Sequence, residues 1–184
     1  MGLGCIRAPF LTQGDIMRSI YLPLITIGIC LLTLLTITEQ TDKLLEIRYT
    51  HLTKDTQKQI DCLADNIYYE AGFEPYNGQV AVALVTLNRT QDPRFPKDIC
   101  SVVKQKVKST CQFTWFCENF KTKSKEVYDR AREIAIHVYV NYEKLPDITN
   151  GALFYHADYV NPRWKLERTA VIGRHIFYKD KDRI

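Results

Sequence analysis

The chain has 184 residues, with 25 Lys+Arg against 21 Asp+Glu for a formal charge of +4, and an apolar fraction of 46%. That length accommodates one ordinary domain and little more. With 11% aromatics, 8 Gly, 7 Pro and no repeat of ~20 to 50 residues, the composition excludes a disordered, fibrous or solenoid chain, and a mean hydropathy of -0.22 excludes a polytopic membrane protein.

The first element is apolar. Ser19 to Thr38 carry no charge and are dominated by Ile and Leu; as a helix at ~1.5 Å per residue they reach ~30 Å, about one bilayer core. Arg7, Arg18 and Asp15 precede the run, and Glu39, Asp42 and Lys43 follow it. The basic bias on the short side predicts that residues 1–18 are cytoplasmic, 19–38 a transmembrane signal-anchor, 39–52 a linker and 53–184 an exported domain. The length of the run suits an uncleaved anchor; a cleavable signal peptide has a shorter apolar core, and Thr36-Ile37-Thr38 is a poor exit for a peptidase. A start at Met17 in place of Met1 would give a more signal-like beginning, so both readings stand. Pro23, Gly28, Thr26, Thr33 and Thr36 punctuate the run and predict a weaker hold on the bilayer, which adds a releasable anchor as a third reading.

Beyond the linker the pattern is mainly helical. Thr53 is placed to cap a helix whose apolar positions Ile60, Leu63, Ala64, Ile67 and Ala71 follow helical spacing, with Gly72 as its stop. Pro75 opens a second helix, apolar nearly all round from Val80 to Leu87, as a central buried helix would be. Pro93 and Pro96 mark a loop, and Asp98 caps a short helix through about Val107. Ser109 to Phe120 are aromatic-rich without helical period. Thr122 or Ser124 then opens a long amphipathic helix bearing Val127, Ala131, Ile134, Ala135, Val138 and Tyr142, ended by Pro146. Ala152 to His156 and Thr169 to Tyr178 read as two strands around the loop Asn161 to Trp164, an antiparallel pair on a helical body.

The positive charge is local, with Arg94, Lys97, Lys104, Lys106, Lys108, Lys121, Lys123 and Lys125 opposed by Asp98 and Glu118 alone. Such a run is either a solvated helical face or an attraction for a polyanion, and export favours an anionic cell-envelope polymer over nucleic acid. Of the six cysteines, Cys5 and Cys30 lie before or within the apolar run; Cys62, Cys100, Cys111 and Cys117 are exported, an even number suited to disulfides, with three pairings open. They contain no C-x2-C pair, so a zinc site has little support.

Glu70 is the residue whose placement asks for chemistry. It sits in the last turn of the first exported helix, between Tyr69 and Ala71. The negative end of the helix dipole and the aromatic neighbours both favour its protonated form, as a general acid requires. A solvent-facing Glu that tolerates its place is the alternative.

The segments Cys62-Leu63-Ala64-Asp65-Asn66-Ile67-Tyr68-Tyr69-Glu70-Ala71 and Gly78 to Arg89 resemble the SleB/CwlJ type of cell wall hydrolases, the spore-cortex-lytic family. So do Pro96 to Val103, Cys111-Gln112-Phe113-Thr114-Trp115, Phe154-Tyr155-His156-Ala157, Pro162-x-Trp164 and Ile172 to Tyr178. The likeness covers about Asp61 to Lys179. It implies an α+β, mostly helical fold, a lysozyme-like body with a small C-terminal antiparallel β element, here preceded by one transmembrane helix. It also implies lytic transglycosylase chemistry on the MurNAc to GlcNAc linkage of peptidoglycan, with Glu70 as sole catalytic acid/base and no metal or cofactor. Gln112, Phe113, Trp115, Tyr155 and His156 are the implied substrate-binding residues, each with a structural alternative; His175 reads as structural, and Asn88 and Arg89 as cap and loop anchor. The four exported cysteines resemble those of some Gram-negative members, which suits a periplasmic setting. One departure stands out: the family commonly has Arg after the Glu-Ala pair, where this chain has Gly72. The resulting expectation is a monomeric enzyme acting on peptidoglycan strands, held at the inner membrane with its catalytic domain outside the cytoplasm, or exported in soluble form. A non-catalytic glycan-binding module, a hydrolytic muramidase using Glu74 or Glu118 as second carboxylate, and a zinc-dependent amidase are the competing readings.

Overall fold

In a computed structural model that describes residues 13–118 and 124–181, the chain divides into two units, 1–48 and 49–184. The expected cytoplasmic segment 1–18 lies mostly outside the described residues, as do Lys121, Lys123 and Thr122. Helix α1 (Gln13–Thr50) includes Tyr21–Gln40, twenty residues long and apolar enough to cross a membrane, and none of it is buried. This window sits two residues later than the run read from the sequence. Four of its threonines satisfy their hydroxyls locally: Thr26, Thr33, Thr36 and Thr38 each donate to the carbonyl three residues earlier, at 2.8 to 2.9 Å. A hydroxyl paired inside its own helix presents little unsatisfied polarity to lipid, so these residues weaken the run less than their composition suggested. Residues 39–50, expected as part of the linker, continue this helix.

The second unit begins with a pinned chain. The Gln57 amide donates to the carbonyls of Tyr49 and Leu52, both at 3.1 Å, and Tyr49 Oη donates to Asp61 Oδ1 at 2.7 Å. Helix α2 (Lys54–Ala71) follows, capped as expected by Thr53, whose hydroxyl accepts from the Thr56 amide at 3.2 Å. Helix α3 (Tyr76–Gln91) starts one residue after Pro75 and is buried almost throughout from Gly78 to Thr90. It is the central helix that its apolar run predicts, packed by α2, by α4 (Ile99–Val103) and by α6 (Lys125–Asn141). Asn88 near its end anchors the loop after α6, donating to Asp147 Oδ2 at 2.9 Å and Ala152 O at 3.2 Å while accepting from Tyr142 Oη at 2.9 Å.

Three expected elements differ. The helix capped by Asp98 ends at Val103 and not near Val107, since Lys106–Val107 (β1) and Thr110–Cys111 (β2) pair across a two-residue turn in which Lys108 takes φ 58°. The stretch Ser109 to Phe120 holds, besides β2, the short helix α5 (Thr114–Glu118). The C-terminal pair is a three-stranded antiparallel sheet in the order β3 (Phe154–Ala157), β5 (His175–Lys179), β4 (Glu167–Ile172). Its extra turn falls at Gly173, whose φ of 57° a side chain would resist. The long α6 opens at Ser124 as expected and ends at Asn141, ahead of Pro146. The sheet packs on α3 through Phe177 of β5 against Ala81, Val85 and Ala152, with Tyr155 of β3 and Ala170 and Ile172 of β4 packed beside this cluster.

Of the basic run, Arg94 is paired with Asp92 and Asp180, Lys125 with Asp129, and Lys104, Lys106 and Lys108 are exposed. All four cysteines of the second unit are bridged, Cys62 to Cys100 and Cys111 to Cys117, which selects one of the three pairings. The first joins α2 to α4 across 38 residues of sequence; the second closes β2 onto α5 across 6. Loop-closure entropy gives the long bridge about 4 kcal/mol and the short one about 2. Non-reducing peptide mapping should therefore recover these two pairs, and Cys62→Ala/Cys100→Ala should lower the thermal midpoint more than Cys111→Ala/Cys117→Ala. Equal midpoints for the two double variants would contradict the assignment of the larger constraint to α2 and α4.

Candidate active site

The end of α2 and the short helix α5 form two walls of a cleft of about 530 Å³. Tyr69 and Glu70 lie on the α2 side, Phe73 and Glu74 on the turn that follows, and Trp115 and Glu118 on α5. The walls meet where the Tyr69 and Trp115 rings stack, 4.5 Å between centroids and 22° from parallel. The disulfide from Cys111 to Cys117 brackets Trp115, so this wall is closed covalently.

Glu70 is half-buried in the last turn of α2, and Tyr155 on β3 donates a hydrogen bond to its Oε2 at 3.2 Å. Burial pushes the carboxyl above its ordinary value; the Tyr155 hydroxyl, the Arg89 charge and the Trp115 indole N–H each pull it back, and burial prevails. The same two interactions, burial first and the Glu70 charge second, raise Tyr155 far above the usual phenol range, so it remains a donor. Arg89 Nη1 and, one turn before Glu70, Asn66 Oδ1 are buried without a hydrogen-bond partner among the described residues.

Arg89 is the residue that sequence reasoning undervalued. It is only 2% exposed, its Nε donates to Leu153 O at 2.8 Å, and its guanidinium lies over the rings of Phe95, Phe113 and Phe154 at 5.3, 5.5 and 5.9 Å from their centroids. The available signal was a lone cation in an otherwise apolar helix. The loop-anchor role read from the sequence is real, through Leu153, but it accompanies an electrostatic one. Position 72, where the family commonly has Arg, carries no side chain here. A Cβ at Gly72 would stand 2.5 Å from Tyr68 O and 3.1 Å from Val127 Cγ1, so this turn accepts no side chain without opening. The cation facing Glu70 comes from α3.

The other expected site residues separate. Trp115 is on the cleft wall and Tyr155 touches Glu70. Phe113 is 4% exposed beneath Arg89 and offers no free face to a sugar. Gln112 is exposed, does not line the cleft, and is held through its main-chain N–H to Gln105 O at 2.9 Å. His156 is occupied by Tyr178 Oη at 3.0 Å and Ala157 O at 2.8 Å. His175 is buried, 5.2 Å ring to ring from Tyr155, and burial holds it below the usual imidazole range. Glu74 reaches the cleft, yet its Oε2 accepts the Arg174 amide at 2.8 Å.

A profile of the family described as cell wall hydrolase matches residues 73–178. The spore cortex-lytic enzyme of Halalkalibacterium halodurans is 31% identical over 125 residues, which cover 66% of this chain and 35% of that one; its counterpart in Bacillus cereus is 32% identical over 127 residues, covering 67% and 45%. This chain thus spans less than half the length of these relatives. The catalytic domain of the Bacillus cereus SleB protein superposes with a TM-score of 0.51 at 31% identity, covering 67% of this chain and 91% of that domain. The catalytic domain of the germination-specific lytic transglycosylase SleB of Bacillus anthracis gives 0.52 at 28%, covering 70% and 98%. The expected fold, mostly helical with a small antiparallel sheet, is the one found.

Because the raised Glu70 binds its proton more tightly folded than unfolded, it contributes stability that is present below the ordinary carboxyl value and lost as pH rises through the native one. Glu70→Gln carries no such charge. Its midpoint should therefore gain on the parent's as pH rises from about 4 to 7; a difference that stays flat or falls over this range would contradict the raised carboxyl.

Proposed function

The chain belongs to the cell wall hydrolase family, and from that premise we propose that it cleaves the glycan strands of peptidoglycan as a lytic transglycosylase with Glu70 as its single acid/base. The observation that carries the proposal is the Glu70 carboxyl, withdrawn from water on the wall of a sugar-sized cleft and held by Tyr155. A protonated Glu70 gives its proton to the glycosidic oxygen as the bond to C1 of MurNAc breaks. The resulting carboxylate then takes the proton of the MurNAc 6-hydroxyl, whose oxygen closes on C1 to leave a 1,6-anhydro sugar. Proton and electron pair both return to the starting state, and water is not consumed. Tyr155 and Arg89 favour the carboxylate between the two transfers, while burial favours the acid before them. A non-catalytic binding module has no use for a desolvated carboxyl. Hydrolysis through a second carboxylate has Glu118 on the opposite wall in its favour, and the two routes leave different ends.

The spore cortex-lytic relatives point to a substrate outside the cytoplasm, and Tyr21–Gln40 supports a membrane anchor on which the domain is exported. This reading places the catalytic domain in the periplasm or on the outer side of the cytoplasmic membrane.

Mass spectrometry of fragments from purified peptidoglycan should find 1,6-anhydro-MurNAc ends; reducing MurNAc ends would transfer the assignment to a muramidase. Glu70→Gln should lower turnover by about 100-fold or more with folding intact. In Tyr155→Phe the carboxyl loses a donor to its charged form, so the alkaline limb of the pH–activity profile should move to higher pH. Fractionation tests the anchor: full-length protein in the membrane pellet is expected, and a shortened soluble form at all times would identify a cleaved signal.

A further inference from the structure

Phe73 is 95% exposed, more than any other aromatic ring among the described residues (Tyr159 follows at 78%), and it lines the Glu70 cleft. Water contact over a whole phenyl ring opposes folding rather than helping it. At that exposure the ring adds almost nothing to the packing of the described residues.

The turn that carries it is nevertheless held on both sides. Before the ring, the Gly72 N–H donates to Tyr68 O at 3.1 Å, in a turn too tight for any side chain at 72. After it, the Glu74 N–H donates to Ala71 O at 2.9 Å, the Gln79 amide donates to Glu74 O at 2.9 Å, and the Arg174 N–H donates to Glu74 Oε2 at 2.8 Å. The last of these ties the turn to the β4–β5 hairpin, where a Cβ at Gly173 would collide with the same carboxylate. A fixed main chain and a side chain with two rotatable bonds lose little freedom when a ligand arrives.

Resting on the reading of the cleft as a glycan site, we infer that Phe73 is a stacking platform for one pyranose ring of the strand, next to the sugar held between Glu70 and the Tyr69–Trp115 wall. The apolar face of a pyranose and the face of a phenyl ring are matched in size and chemistry. A lipid surface is a poorer occupant, because Glu70, Glu74 and Glu118 line the same cleft and repel anionic headgroups. A second copy of the chain is poorer too: one ring is far below the ~1,200 Å² or more that a stable interface buries.

The test uses the full-length chain in detergent micelles, with Glu70→Gln in the background so that the ligand survives, and soluble glycan strands freed of their stem peptides as the probe. Titration calorimetry should find that adding Phe73→Ala weakens binding about tenfold, while Phe73→Trp keeps it within about twofold. In the active enzyme, Phe73→Ala should lose mainly in KM. Equal affinity of the Phe and Ala forms would overturn the inference. So would a Trp form as weak as the Ala form, which would make the ring a determinant of the turn, or loss of vesicle association in place of glycan affinity. If the parent Glu70→Gln chain binds no glycan and the active enzyme releases no fragments, the cleft is not a glycan site and the proposed function falls with the platform.

Discussion

The structure depends on keeping one buried helix inside and using it twice. Helix α3 is surrounded by α2, α4, α6 and the sheet, and its apolar residues from Val80 to Leu87 form the centre of the core. On the same helix Arg89 carries a charge into that core, which is stable only because its Nε is paired with Leu153 O and aromatic faces surround the guanidinium. The charge in turn faces Glu70. Burial of a cation and burial of a carboxyl are each unfavourable alone, and each lessens the cost of the other. The core and the site are therefore one arrangement, and β3 completes it by bringing Tyr155 to the carboxylate across the sheet that packs on α3.

Much of this was legible because it follows from local rules. The caps at Thr53 and Asp98, the all-round apolar run of α3 and the stripe of α6 are properties of short windows, and each element began where its window indicated. Glu70 was legible for the same reason, being a charge placed against a helix dipole among aromatics. What was not legible depends on partners distant in sequence. The β1–β2 hairpin interrupts a Lys-rich stretch with helical propensity, and the Cys111–Cys117 bridge fastens its second strand to α5. The turn at Gly173 splits what read as one long strand, and it is fixed by Glu74, a hundred residues earlier.

The aromatic motif shows the same division at finer grain. Phe113 and Trp115 are two residues apart and look equivalent as sugar platforms, yet one faces Arg89 in the core and the other faces the cleft. Phe113 precedes α5 and Trp115 lies in its first turn, so the two rings leave the main chain in different directions, but only the packing of α3 decides which of them is inside. Arg89 was read as an anchor for a loop because the sequence offers no way to know that three phenylalanines, from two loops and a strand, converge on its guanidinium.

The balance at Glu70 is what a one-carboxyl mechanism demands. A carboxyl that is first an acid and then a base must not be committed to either form. Burial alone would hold the proton too firmly for the group to leave as a carboxylate, and Arg89, Tyr155 and Trp115 alone would strip the proton before it reached the leaving oxygen. The two influences come from different parts of the fold: the desolvation from the α2 end and its aromatic neighbours, the opposing charge and donors from α3, β3 and α5. Gly72 leaves the end of α2 without a cation of its own, and the cation that acts on Glu70 is Arg89, whose main-chain partner and surrounding rings keep it at a fixed place. A flexible surface arginine at 72 would be screened by water and free to turn away; a buried one holds its influence constant while substrate displaces solvent from the cleft.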